Sequence, residues 1–196
     1  MTVTRLLAML AAMRVLVAVF CTLLLVGCGG SNPVEKSFGG LTEGDMQAVQ
    51  SVSTSLQSLS TDIATIQAEL TAENITGARS AIDATAPKLD QADDKTLDLD
   101  NSDLRTTLQD YVTTTRELVG SFDRWVAYFE DDSTLRDEAL ENDLLGDIDA
   151  AATDMRKADQ AFLNRLLDNA SPEQRKEIRA RYRDALERLT DSAGGS

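Results

Sequence analysis

The chain has 196 residues, 42% of them hydrophobic, with 33 acidic against 19 basic side chains and a net charge of −14. That is length for one domain and not for several, and the charge argues against a dedicated nucleic-acid binder. The composition is neither apolar enough for a polytopic membrane protein nor poor enough in apolar residues for wholesale disorder. There is no histidine, and the two cysteines, Cys21 and Cys28, fall in the first 28 residues. The usual parts of nucleophilic triads and zinc sites are therefore missing, and a non-enzymatic role without metal or cofactor is expected.

Residues 1–27 contain no acid and two bases, Arg5 and Arg14, and Arg14 is followed by the apolar run from Val15 to Val26. A basic start, an apolar stretch and small residues after it are the layout of a secretory signal. The run is about a dozen residues, short of the roughly 20 that a helix needs to cross a bilayer. It ends in Gly27, Cys28, Gly29 and Gly30. Leu25, Val26, Gly27 and Cys28 together resemble the lipobox of bacterial lipoproteins. That resemblance implies transfer of a diacylglyceryl group to the Cys28 sulfur and cleavage just before it, so that residues 1–27 are a signal peptide. The alternative is an ordinary signal peptide cut nearby, or a short uncleaved anchor, with Cys28 a free thiol; both still export the chain. Met13 with Arg14 would itself open a signal of compact size. Gly29, where an aspartate would serve as the usual inner-membrane retention signal, points to the outer membrane of a two-membrane cell. In a one-membrane cell the outer face of the plasma membrane follows.

Loss of residues 1–27 leaves 17 basic and 33 acidic groups on 169 residues, a net charge of −16. With Cys28 consumed by lipid no thiol remains, so the exported domain is expected to hold together by core packing without a disulfide. Two acyl chains anchor firmly where one binds reversibly.

Residues 28–44 hold the lipidated cysteine and a glycine-rich stretch with Pro33, which reads as a flexible tether. From Asp45 to about residue 190 the apolar residues recur at helical spacing and no segment shows sustained strand alternation, so this domain is expected to be all-α. The first run, Met46, Val49, Val52, Leu56, Leu59, Ile63, Ile66 and Leu70, has gaps of 3 and 4 that average near the 3.5 of a coiled-coil seam. Hydroxyl residues crowd between them (Ser51, Ser53, Thr54, Ser55, Ser58 and Thr61), so this helix depends on its partners. A second helix is predicted from near Asn74, carrying Ile75, Ala78, Ile82, Leu89 and Ala92 and kinked by Pro87, with a loop over 93–103. A third should run from about Ser102 to Phe129 with Leu104, Leu108, Tyr111, Val112, Thr115, Leu118, Val119, Phe122, Trp125, Val126 and Phe129 on one face.

Thr134 and Asp137 form a loose capping box that opens a fourth helix, with the stripe Leu135, Ala139, Leu144, Ile148, Ala151, Met155, Ala158, Phe162 and Leu166, loosened locally at Gly146. Ser171 as N-cap and Pro172 at the first helical position open a shorter C-terminal helix with Ile178, Tyr182, Leu186 and Leu189. Residues 191–196 should be a disordered tail. Long helices of roughly 40 to 50 Å at 1.5 Å per residue suit an elongated antiparallel bundle of about four long helices plus this shorter one.

Few residues stand out as candidates for contact. Five of the eight aromatics beyond the signal, Tyr111, Phe122, Trp125, Tyr128 and Phe129, lie on the third helix. The spacing of Phe122, Trp125 and Phe129 is that of a packed core; the alternative is a small-molecule pocket near Trp125, which would make the protein a sensory or solute-binding bundle. Tyr128 falls off the stripe and is the better candidate for surface contact. Asp98, Asp100 and Ser102 have the alternation that opens an EF-hand loop, but Asp103 stands where glycine is required and Gln109 where the bidentate glutamate belongs, so no calcium site is expected. The C-terminal helix carries Arg175, Lys176, Arg179, Arg181, Arg183 and Arg188 against Glu173, Glu177, Asp184 and Glu187, a net of +2 on a body that is otherwise −18. Docking on acidic neighbours of the same molecule is the expected role of Arg175, Lys176, Arg179, Arg181 and Arg183, and contact with anionic lipid or an acidic polymer is the alternative. The function that follows is a membrane-anchored envelope lipoprotein whose bundle serves as an interaction or scaffold module, attached through Cys28 and partnered by an envelope protein or polymer. Oligomeric state is not legible.

Overall fold

The structure, a computed structural model, describes residues 43–131 and 137–168, together with Pro172, Arg175, Lys176, Arg179 and Ala180. Four helices follow one another: α1 (Glu43–Thr71), α2 (Ile75–Thr96), α3 (Ser102–Glu130) and α4 (Glu138–Asp168). No strand occurs among the described residues. The chain is an all-α bundle, with helices of 22 to 31 residues, or about 33 to 46 Å.

Each helix packs closely on the next, α1 on α2, α2 on α3 and α3 on α4, and connections this short make such neighbours antiparallel. Ion pairs mark the directions. Arg79 near the start of α2 binds Asp123 and Glu130 toward the end of α3, and Arg165 near the end of α4 lies 3.4 Å from Asp103 at the start of α3. Hence the start of α1, the end of α2, the start of α3 and the end of α4 share one pole of the bundle. The α1–α2 and α3–α4 connections share the other.

On α1 every seam residue from Val49 to Leu70 is buried as its spacing predicts; the Met46 side chain lies outside the described residues. The helix starts at Glu43, two residues earlier than expected, so Gly44 belongs to it and not to the tether. Ala48 and Val49 are already buried, and that packing carries the preceding turn into the helix.

Asn74 both ends α1 and begins α2. Its backbone N–H donates to Glu69 O at 2.9 Å and that of Glu73 to Leu70 O at 3.2 Å, a Schellman pattern that needs a left-handed residue, here Glu73 at φ 56. The Asn74 side-chain oxygen then accepts from Gly77 N at 3.1 Å, while its Nδ2 donates to Glu69 Oε2 at 2.6 Å. Pro87 sits inside α2 on an exposed face, where the Asp83 carbonyl that lacks its donor lies on the solvent side of the helix.

The loop expected over 93–103 is much shorter, because α2 continues to Thr96 and α3 starts at Ser102. Ala92, Thr96 and Leu99 are buried, so packing holds a stretch whose acidic composition alone suggested coil. Thr96 Oγ1 donates to Asp93 O at 2.7 Å, and Asn101 caps α3 by accepting from Leu104 N at 2.9 Å.

The fourth helix begins at Glu138, directly after the non-helical Asp137. Asp137 is its cap, its Oδ1 accepting from Ala139 N at 2.9 Å; Thr134 and Leu135 lie outside the described residues. Of the expected stripe, Ile148, Ala151, Met155, Ala158, Phe162 and Leu166 are buried, Leu144 is half-buried and Ala139 is exposed; the seam at the centre of the buried face runs Glu141, Leu145, Ile148, Ala152, Met155, Asp159, Phe162 and Leu166. Its gaps alternate 4 and 3, a regular seam with two acids in it. Ala151, Ala158 and Leu163 widen this face. All four helices contribute to one core, in which Phe122, Leu56, Ile66, Leu108 and Ile148 are among the side chains wholly removed from solvent.

Candidate functional site

The aromatic group lies near the end of α3. Trp125 is 4% exposed, its ring 5.0 Å from that of Phe129 at an interplanar angle of 48°. Phe129 in turn meets Tyr128 edge-on at 5.1 Å. These are favourable aromatic geometries, and they make Trp125 a core residue, as the spacing indicates. Tyr128 is off the stripe but half-buried, and its hydroxyl accepts from Asp137 N at 2.8 Å. It ties the end of α3 to the first residues of α4. No sequence signal marks that bond, because its partner lies nine residues away across a connection.

The cationic candidates lie at the opposite pole. Arg175 and Arg179 are exposed, as is Lys176 between them, and all three are helical. Arg175 Nη2 donates to Asp168 O at 3.3 Å, which satisfies a terminal carbonyl of α4 with a charge suited to that end of a helix. Lys176 and Arg179 form no ion pair among the described residues, so the expected docking on acidic helices is not seen for them. Arg183, like Cys28 and the lipobox residues Leu25, Val26 and Gly27, lies outside the described residues. The aromatic and cationic candidates therefore do not converge on one site.

Inter-helix charge pairs account for many of the remaining basic groups. Lys88 lies 2.7 Å from Asp62, Arg116 3.0 Å from Asp90, and Arg124 3.1 Å from Asp147. The Arg79 guanidinium is held by two carboxylates; its hydrogen bond to Glu130 is the main cause that raises its pKa and lowers that of Glu130. An open groove of about 310 Å³ runs between α3 and α4, lined by Glu117, Gly120, Ser121, Arg124, Asp147, Ala150, Ala151 and Asp154. Trp125 is not among its lining residues. Gly120 and the two alanines leave this space, and the charges along it are solvated or paired.

Two buried acids and one amide were not foreseen. Asp159 is 5% exposed, has no hydrogen bond or ion pair among the described residues, and is pushed up to about 7 by burial. Glu141 is buried in the first turn of α4, and Gln67 on α1 keeps a buried Nε2 without a partner. The signal that could have found the two acids is the regular 4 and 3 spacing from Glu141 to Leu166. Among the described residues no group of acids is arranged to hold a metal ion. Asp98 and Asp100 belong to the α2–α3 turn, where Asn101 serves as helix cap. No described helix is long and apolar enough to cross a membrane.

Compared with protein-family models, curated proteins and solved structures, the chain matches none of them.

Proposed function

We propose that this protein is an exported lipoprotein, anchored through diacylglyceryl on Cys28, whose helical bundle works as a non-enzymatic interaction or scaffold module at the membrane surface. The observation that carries the reading is the sequence Leu25, Val26, Gly27, Cys28 placed directly behind a basic and then apolar segment. The bundle supports it in a second way. Its apolar seams are spent on one shared core, and among the described residues it offers outward charged surface and an open groove. A chain without histidine or a second thiol beyond the signal has few groups for covalent catalysis. The rival, a solute pocket beside Trp125, has less support, since that ring is already packed on Phe129.

The experiment is metabolic labelling with a fatty-acid probe. Wild type should take up label and fractionate with membranes, and Cys28→Ser should lose the label and appear either in the soluble fraction or as an unprocessed precursor. Absence of label on the wild type would overturn the anchoring.

A further inference from the structure

We infer that Arg175, Lys176 and Arg179 form a face that contacts anionic phospholipid headgroups of the membrane in which the protein is anchored. The inference rests on the anchoring proposed above and adds an orientation to it.

Topology comes first. Four antiparallel helices return the chain to the pole where it began, and the Arg165–Asp103 pair places the end of α4 beside the start of α3. The start of α1 lies at that same pole. Fourteen residues separate Cys28 from Glu43, and a fully extended chain spans at most about 3.6 Å per residue, so this pole is held within about 55 Å of the lipid. It is the pole to which the tether attaches, and the basic residues lie on it.

Local structure comes second. The hydrogen bond from Arg175 to Asp168 O pins this segment against the end of α4. Positions 175 and 179 are one helical turn apart and 176 lies beside them, so the three cations share one face. All are exposed, and Lys176 and Arg179 form no ion pair among the described residues. Cations on an acidic protein that stay out of internal pairs are available for an external anion. With the lipid tethered nearby, headgroup phosphates are the anions at highest local concentration. Opposing them at the same pole are the exposed acids Asp94, Asp98, Asp100, Asp103 and Asp168. Their repulsion makes the contact weak and orienting, which suits a chain already held by its acyl groups.

The test uses residues 28–196 carrying Cys28→Ser, so that no lipid contributes, and vesicles of phosphatidylglycerol with phosphatidylcholine against phosphatidylcholine alone. Cosedimentation at low ionic strength should occur only with the anionic vesicles and weaken with added salt. Lys176→Gln with Arg179→Gln should reduce it about fivefold per charge removed, roughly 25-fold together. Asp98→Asn with Asp100→Asn should strengthen it. The inference is overturned if the wild type ignores anionic vesicles at low salt, or if the double glutamine variant binds them unchanged. It is equally overturned if that variant lowers the melting temperature and leaves vesicle binding as it was, which would mark internal docking, or if a soluble polyanion binds the wild type while vesicles do not. None of these outcomes depends on acylation of Cys28, so fatty-acid labelling of that residue still decides the anchoring separately.

Discussion

Helices α3 and α4 are nearly equal in length and pack along each other, yet their buried faces differ in kind. That of α3 is aliphatic and aromatic, and its buried threonine and serine hydroxyls satisfy themselves on their own helix. Thr115 Oγ1 donates to Tyr111 O at 2.7 Å and Ser121 Oγ to Glu117 O at 3.0 Å. On α4 the buried polar groups are carboxylates, Glu141 and Asp159. An ionised carboxylate only accepts, and the carbonyls of its own helix offer it nothing. A hydroxyl can therefore enter a helical core with little loss, and an acid cannot. The buried face of α3 is thus a source of stability throughout, whereas that of α4 carries a stored cost at Asp159.

The sharpest way to break this comparison is to remove the largest apolar group from α3. Trp125→Ala should destabilise the bundle by about 3 to 5 kcal/mol, measured by denaturant unfolding. A loss below about 1 kcal/mol would mean that the ring is not part of the core.

A smaller effect of opposite sign is expected from α4. The folded state holds a proton on Asp159 up to about pH 7, whereas an unfolded aspartate releases it near 4. The native state thus binds the extra proton between those values, and its stability falls as pH rises from about 4 to about 7, with the full penalty present above that window. Asp159→Asn should raise stability at pH 8 by on the order of 2 to 4 kcal/mol. The gain should vanish near pH 4. A difference between the two proteins that does not change with pH would contradict the assignment.

The smallest effect concerns the exposed side of α4. A methyl group at Gly146 would meet nothing within 4 Å, so Gly146→Ala should add about 0.5 to 1 kcal/mol by helix propensity alone. Thermal melting of the two proteins checks it. A loss would show that the helix needs its glycine.

The same contrast explains what could be read before the fold was known. On α1 and α3 the buried positions are mostly apolar, and their buried polar residues, Ser55, Gln67, Thr115 and Ser121, are uncharged, so periodicity located both seams almost residue by residue. Asn74 was visible as a start because amide caps are a local matter. On α4 the seam passes through Glu141 and Asp159, and assigning charges to solvent shifts the apparent stripe onto Ala139 and Leu144, of which the first is exposed and the second half-buried. The 93–103 segment misled for a related reason. Its acids suggest coil, yet Thr96 and Leu99 are buried among them. Of the candidate contacts, the core placement of Trp125 was legible from spacing, whereas the tie between Tyr128 and Asp137 forms only once two helices meet.

The sequential packing of the helices, each on its successor, also has a kinetic consequence. The connections span only 72–74, 97–101 and 131–137, so native contacts join parts of the chain that are never far apart along it, and little loop entropy is lost before each pairing is rewarded. The bundle can zip up from one end as successive hairpins, with every helix finding its partner in the next stretch to emerge. Such a chain has no need to wait for its last residues before its first ones are sheltered.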